Sequence, residues 1–313
     1  MMQGRRVSLS LFPFQGVYGD IKALEIAGEV GVDAVDFCLT GKRFDVRNPE
    51  SVYSRTDEEI AAYFADIKKT ADALGVVICM THGHLEGFKQ IEEEDAALLE
   101  NIRRDLLATK ILGAPVCVLH GVTTIHMGPD CDPQLMRDLN FHLFTQVLPY
   151  AREYDVKIAT ETFGNAACYG VCDFFGNIDE FIKTFNRICA AEDFRKYFTI
   201  CVDTGHSNLA SRYNANPSPA DVIRMLGGSI STLHLHDNDT YTDQHKIPMT
   251  GTIDWEDVFD ALDEVGYSGY YNMELSLKWF GRDMMRDSAA FAVKVMKHFL
   301  KKRYNTKGET VDG

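Results

Sequence analysis

No run of about 18 consecutive apolar residues occurs in the chain, so no segment qualifies as a membrane-spanning helix. No Cys-x-x-Cys pair occurs either, which removes the usual signature of a zinc knuckle or a redox dithiol. Basic charge is scarce: 32 Lys and Arg stand against 46 Asp and Glu, a net charge of -14. A chain of that sign repels polyanions, so neither nucleic acid nor an anionic membrane is an expected partner. The apolar stretch from Ser8 to Phe14 is too short and too interrupted for a secretory signal, and no small-residue cleavage site follows it. The expected compartment is the reducing cytoplasm.

Eight cysteines are present, and Cys38, Cys79, Cys117 and Cys201 sit inside apolar runs, where cysteine acts as a small buried hydrophobe. With 45% hydrophobic residues, a chain of 313 residues can bury a full core. The rest of the pattern is a repeat. Apolar runs begin near Val7, Ala34, Val76, Pro115, Val156, Phe198, Ile230 and Gly269, and each reads as a strand. Between them lie segments of helical periodicity: Asp20 to Val30, Asp57 to Leu74, Glu92 to Leu112, Pro133 to Tyr154, Ile178 to Ala190, Pro219 to Leu226, Asp254 to Val265 and Asp283 to Lys302. Gly31, Gly75, Gly113 and Gly266 follow helix ends, and Thr56-Asp-Glu-Glu59 reads as a capping box. Eight strand-helix units with right-handed crossovers close into an α/β fold of one domain, a (β/α)8 barrel over residues 1–303, followed by a polar, flexible tail at 304–313.

The joints from helix to strand are two or three residues long, whereas the stretches after Phe37, His82, His120, Glu161 and His234 are far longer. Long loops on the C-terminal face of a barrel are where sites form. Six consecutive strands finish on a side chain able to bind metal: His82, His120, Glu161, Asp203 with His206 just beyond, His234, and Glu274. If the strands are parallel neighbours, these ends converge on one mouth. Glu161, Asp203, His234 and Glu274 then make a divalent-metal site. His234 and His236 share a face because strand side chains alternate. His234 is preferred as ligand, since Asp237 in a His-x-x-Asp spacing offers a carboxylate to orient the ring. The loop beyond carries Asp243 and His245. Phe12, Phe14, Phe163, Trp279 and Phe280 are candidates to shape the pocket.

Glu161, Asp203-Thr-Gly-His206, His234-Leu-His-Asp237, the Pro-x-x-Gly-x-Ile-Asp-Trp stretch ending at Trp255, and Met273-Glu274 together resemble the xylose isomerase-like TIM barrels. That superfamily includes sugar phosphate isomerases and epimerases, ketose 3-epimerases, inosose dehydratases and endonuclease IV. The resemblance implies one Mn, Mg, Co or Zn ion on Glu161, Asp203, His234 and Glu274. It also implies a carbohydrate substrate, with His82, His120, His206, His236, Asp237, Asp243, His245 and Trp279 around it. A homo-oligomer is in keeping with the superfamily. The expected chemistry is isomerisation or epimerisation through a metal-stabilised enediolate, with Glu161 and Glu274 moving the proton.

Two departures bear on the member. Thr240 stands where ketose 3-epimerases carry an arginine, and the Lys-x-Asp-x-Asn-Asp pattern of true xylose isomerases is absent. Endonuclease IV is matched at His82, His120, Glu161, Asp203, His206, His234, Asp243, His245 and Glu274, which implies a trinuclear zinc phosphodiesterase as the alternative. A metal-dependent polyol or inosose dehydratase would use the same ligands, and a sugar sensor would use them without turnover.

Overall fold

The computed structural model of the chain describes residues 5–213 and 216–306. The apolar runs form strands β1 (Val7–Ser10), β2 (Ala34–Cys38), β3 (Val77–His82), β4 (Val116–Leu119), β5 (Lys157–Glu161), β6 (Phe198–Asp203), β7 (Ile230–His234) and β8 (Tyr271–Met273). They lie in one parallel sheet in the order β8-β1-β2-β3-β4-β5-β6-β7. The sheet closes between β7 and β8 through one bridge, Leu235 with Met273. There Leu235 N donates to Asn272 O at 2.8 Å, and Glu274 N donates to Leu235 O at 3.2 Å. The fold is therefore the expected (β/α)8 barrel, with its thinnest seam between its last two strands.

Helices α1 (Asp20–Val30), α2 (Asp57–Leu74), α3 (Glu92–Leu112), α4 (Pro133–Tyr154), α5 (Ile178–Cys189), α6 (Pro219–Leu226), α7 (Trp255–Glu264) and α8 (Met285–Thr306) surround the sheet. Their boundaries follow local chemistry. Thr56 and Glu59 cap α2 reciprocally, and Gly75 ends it at φ +68°, where a Cβ would be strained. The last helix differs from expectation. It continues to Thr306, and Tyr304, the first residue of the expected tail, is buried, with its hydroxyl donating to Asp263 at 2.7 Å. Residues 307–313 lie outside the described residues.

Strand alternation sorts the core into two parts. Val35 and Phe37 of β2, Ile158 of β5, and Ile200 and Val202 of β6 pack outward under the helices. Ala34, Cys79, Met80, Val116, Val118, Ala159 and Cys201 form the separate inner cluster, small enough for a closed barrel to surround. Cys38, Cys79, Cys117 and Cys201 are buried as expected, and burial pushes each thiol up to about 12. The strand-to-helix loops hold structure that periodicity does not announce: helices Phe12–Tyr18, Thr124–Met127 and Thr204–Ala210, and a hairpin of Asn165–Ala166 with Val171–Cys172.

Candidate metal centre

The inward parity that places Ala159 inside the barrel also places Glu161 there, two residues further along β5. Glu161 is 1% exposed and sits at the centre of the mouth. Its Oε2 lies 3.3 Å from His234 Nδ1, 3.3 Å from His120 Nε2 and 3.4 Å from His82 Nε2, and its Oε1 lies 3.2 Å from His206 Nδ1. Glu274 approaches from the far side of the seam, with Oε2 3.5 Å from the same His234 Nδ1 and 3.7 Å from His245 Nδ1. Asp203 faces His234 in the sheet register. Its Oδ1 caps the Thr204–Ala210 helix by accepting from His206 N at 2.7 Å, and it also lies 2.9 Å from His236 Nε2.

Glu161, Asp203, His234 and Glu274 thus bring one donor atom each within 4.8 Å of one another. Among the described residues, two further groups meet the same criterion: His82 with Glu161 and His234, and His206 with His236, Asp243 and His245. Glu161 Oε2 and both ring nitrogens of His234 are buried without a hydrogen-bond partner. Buried polar atoms are ordinarily paired, and a divalent cation between the carboxylates would engage Glu161 Oε2 and His234 Nδ1. Oxygen-rich ligation with one imidazole suits a hard or borderline ion. The residues present therefore fit the group that the resemblance implies.

Electrostatics point the same way. Burial opposes charge on His206 and His234, yet Asp203, Asp243 and Glu161 hold the first imidazole, and Cys201, Glu274 and Glu161 the second, well above the ordinary range. Burial likewise opposes His245, but Asp243 and Glu274 raise it to about 9. Burial would push the Glu161 carboxyl up, and His234, His120 and His206 instead hold it well below its usual value. The same acidic groups that favour charge on buried imidazoles also favour a cation among them.

An open cavity of about 510 Å³ rises above Glu161 and Glu274. His82, His120, His206, Asp243 and His245 all line it. Phe12 lines it too and is 57% exposed, whereas Phe14 is buried in the core. Phe163 packs edge-on to His120 at 4.6 Å and stacks on His206 at 5.4 Å, so it braces imidazoles rather than offering a face to a ligand. Trp279 and Phe280 stand exposed, outside the cavity lining.

The seventh strand requires one correction. Asp237 does not orient His234. Positions 234 and 237 have opposite parity, so the Asp237 carboxylate turns away from the mouth. It accepts from Trp255 Nε1 at 2.7 Å, Asn238 N at 2.9 Å, Met249 N at 3.1 Å and Ile253 N at 3.2 Å, and in doing so ties down the loop. Gly251 is required there because a Cβ would come 2.2 Å from Asp237 Oδ1. The Gly-x-Ile-Asp-Trp stretch is thus the clasp of that loop. His236 shares the inward parity of His234 and stacks on His245 with ring centres 3.9 Å apart.

Sequence reading overlooked Asp36, in the middle of β2. It is 0% exposed, and its Oδ2 lies 3.8 Å from His234 Nε2. Burial pushes its carboxyl up to about 6, against the pull of His234 and His82. The signal was present as one acidic residue at an inward position of Ala34-Val-Asp-Phe-Cys38, an otherwise apolar strand.

A parallel eight-stranded barrel whose strand ends gather carboxylates and imidazoles at one mouth defines a class of α/β barrels with a metal-capable centre. The chain belongs to the xylose isomerase-like TIM barrel family, whose profile matches residues 24–295. Among solved structures it is similar to a D-tagatose 3-epimerase-like protein, with a TM-score of 0.71 and 19% identity, covering 97% of this chain and 100% of that one. It is also similar to the IolI protein with a zinc atom, with a TM-score of 0.67 and 15% identity, covering 95% of this chain and 98% of that one. At those identities the likeness is one of fold. The uncharacterized protein y4fM of Sinorhizobium fredii is 29% identical over 178 residues, which is 56% of this chain and 51% of y4fM. The chain spans about half the length of the curated relatives it matches.

Proposed function

We propose that the chain is a divalent-metal-dependent sugar isomerase or epimerase that holds one ion on Glu161, Asp203, His234 and Glu274. The observation that carries this reading is the pair of carboxylates from β5 and from just beyond β8, facing one His234 nitrogen at 3.3 Å and 3.5 Å on the floor of an open cavity. A bound cation would supply Lewis-acid polarisation of a sugar carbonyl and compensate the charge of an enediolate. Glu274 is held below its usual range by His234 and His245 against the effect of burial, so it stands ionised and able to accept a carbon-bound proton. Glu161 also lines the cavity and is the second carboxylate; to return a proton it would first have to gain one, which His206 Nδ1, 3.2 Å from its Oε1, would supply. His245 Nδ1 donates to the Glu274 backbone carbonyl at 3.0 Å, which fixes one side of the mouth. Likeness of fold to a D-tagatose 3-epimerase-like protein supports a carbohydrate substrate. Free thiols on all eight cysteines suit a reducing cytoplasm, and no helix among the described residues is long and apolar enough to cross a membrane.

A second reading is favoured by the two additional donor groups: a trinuclear zinc phosphodiesterase with ions shared between His82, Glu161 and His234, the central four, and His206, His236, Asp243 and His245. The net charge of -14 opposes a polyanionic substrate. The test is metal content per chain, followed by deuterium wash-in with ketoses, aldoses and inososes. One ion and exchange at carbon, reduced by about 10²–10⁴-fold in Glu161→Gln and Glu274→Gln, is the expected result. Three zinc ions with cleavage of abasic DNA would replace the isomerase reading. Loss of water from an inosose would identify a dehydratase on the same ligands.

A further inference from the structure

Asp36 is a carboxylate with no visible occupation. It lies at an inward position of β2, is 0% exposed, and neither oxygen has a hydrogen-bond partner. A buried, unpaired carboxylate is costly, so its neighbours must give it a use. His234 is its nearest imidazole, with Nε2 3.8 Å from Oδ2. The other ring nitrogen, Nδ1, faces Glu161 and Glu274. The ring therefore stands between two acidic environments, one nitrogen toward the mouth and one toward the barrel interior.

We propose that Asp36 is the positioning residue for His234: its carboxylate holds the Nε2 proton and so presents the Nδ1 lone pair to the metal. This rests on the metal-centred reading above. The 3.8 Å separation is roughly 0.8 Å longer than an ordinary N–H···O bond, a gap that a small ring rotation closes or one water bridges. Ser10, the register partner of Asp36 on β1, also acts on its carboxyl. The Asp237 carboxylate, which sequence spacing offers for this task, is engaged by three backbone donors and the Trp255 indole. A ligating histidine with its second nitrogen on a carboxylate is fixed in tautomer and orientation and is a more basic ligand.

Two measurements test this. Zinc affinity is read by competition with a chelator for the wild type and for Asp36→Asn, with circular dichroism to establish that the variant folds. Asp36→Asn should bind zinc about 10–100-fold more weakly. Long-range proton–nitrogen spectra of zinc-loaded, ¹⁵N-histidine-labelled wild type need no variant. They should show His234 protonated on Nε2, with that proton shifted downfield as in a bond to carboxylate. Zinc that binds wild type and Asp36→Asn alike overturns the proposal alone, as does ligation through Nε2. Zinc that fails to bind the wild type overturns the metal-centred reading and this proposal with it.

Discussion

Gly205 is the most exacting position near the centre, and Gly205→Ala is the substitution that tests the packing described above. The residue is second in the Thr204–Ala210 helix, where alanine in place of glycine would ordinarily gain about 0.5–1 kcal/mol. Here an added Cβ would lie 1.9 Å from His236 Cε1 and 2.3 Å from Nδ1. His236 has no free direction in which to move. It is 0% exposed, holds Asp203 at 2.9 Å and stacks on His245. Overpacking of this kind costs roughly 1–3 kcal/mol, and losing a hydrogen bond to a charged group costs about 1.5–3 kcal/mol more. The expected net loss is about 2–5 kcal/mol. Urea denaturation of the metal-free protein measures it. The decisive comparison is Gly205→Ala in a His236→Ala background, where the ring is gone and alanine should be neutral or slightly stabilising. A Gly205→Ala protein within about 0.5 kcal/mol of wild type, or one that loses the same stability in both backgrounds, refutes the reasoning.

Trp255→Phe removes the indole donor from Asp237 and should cost about 1.5–3 kcal/mol in the same denaturation, because a buried carboxylate loses one of four donors. A change below about 0.5 kcal/mol would show that the other three suffice. His84 is buried, and its Nδ1 lies 2.7 Å from Asp105, which also accepts from Tyr53 at 2.7 Å. Burial opposes its charge, yet Asp105 raises its pKa above the ordinary value. A raised folded value means that the contribution to stability is complete below about pH 6.5 and is lost as pH rises through the folded pKa. His84→Gln should therefore lower stability most at mildly acidic pH and flatten the decline toward alkaline pH. Parallel curves for the two proteins would exclude the mechanism.

Much of this architecture was legible because barrel strands and their helices obey strong local rules. Thr56 with Glu59 and the glycines after α1, α2 and α3 mark boundaries, and the ends of β5, β6 and β7 fall on the expected acidic and imidazole residues. The short Phe12–Tyr18 helix escaped notice because two turns give no periodicity, and because Pro13 and Gly16 look like loop residues although proline is acceptable in a first turn. Spacing alone points Asp237 at His234, whereas parity sets it on the opposite face, where Trp255 meets it. Asp36 was missed for the converse reason, since attention to strand ends passes over a mid-strand acid. Phe163 and Trp279 illustrate a third limit: an aromatic residue near a mouth in sequence can brace imidazoles or stand clear of the cavity, and only tertiary packing decides which.

The seam between β7 and β8 is joined by the backbone at Leu235, and the residues on its two sides include His234 and Glu274. An ion held by both would therefore also act as a rivet across the weakest line of the cylinder. Occupancy of the centre and integrity of the fold would then be one equilibrium, with the ion adding stability in proportion to the logarithm of its concentration over Kd. Scarcity of metal would act on the lifetime of the protein as well as on its turnover, and amide exchange at Leu235 and Glu274 would report both.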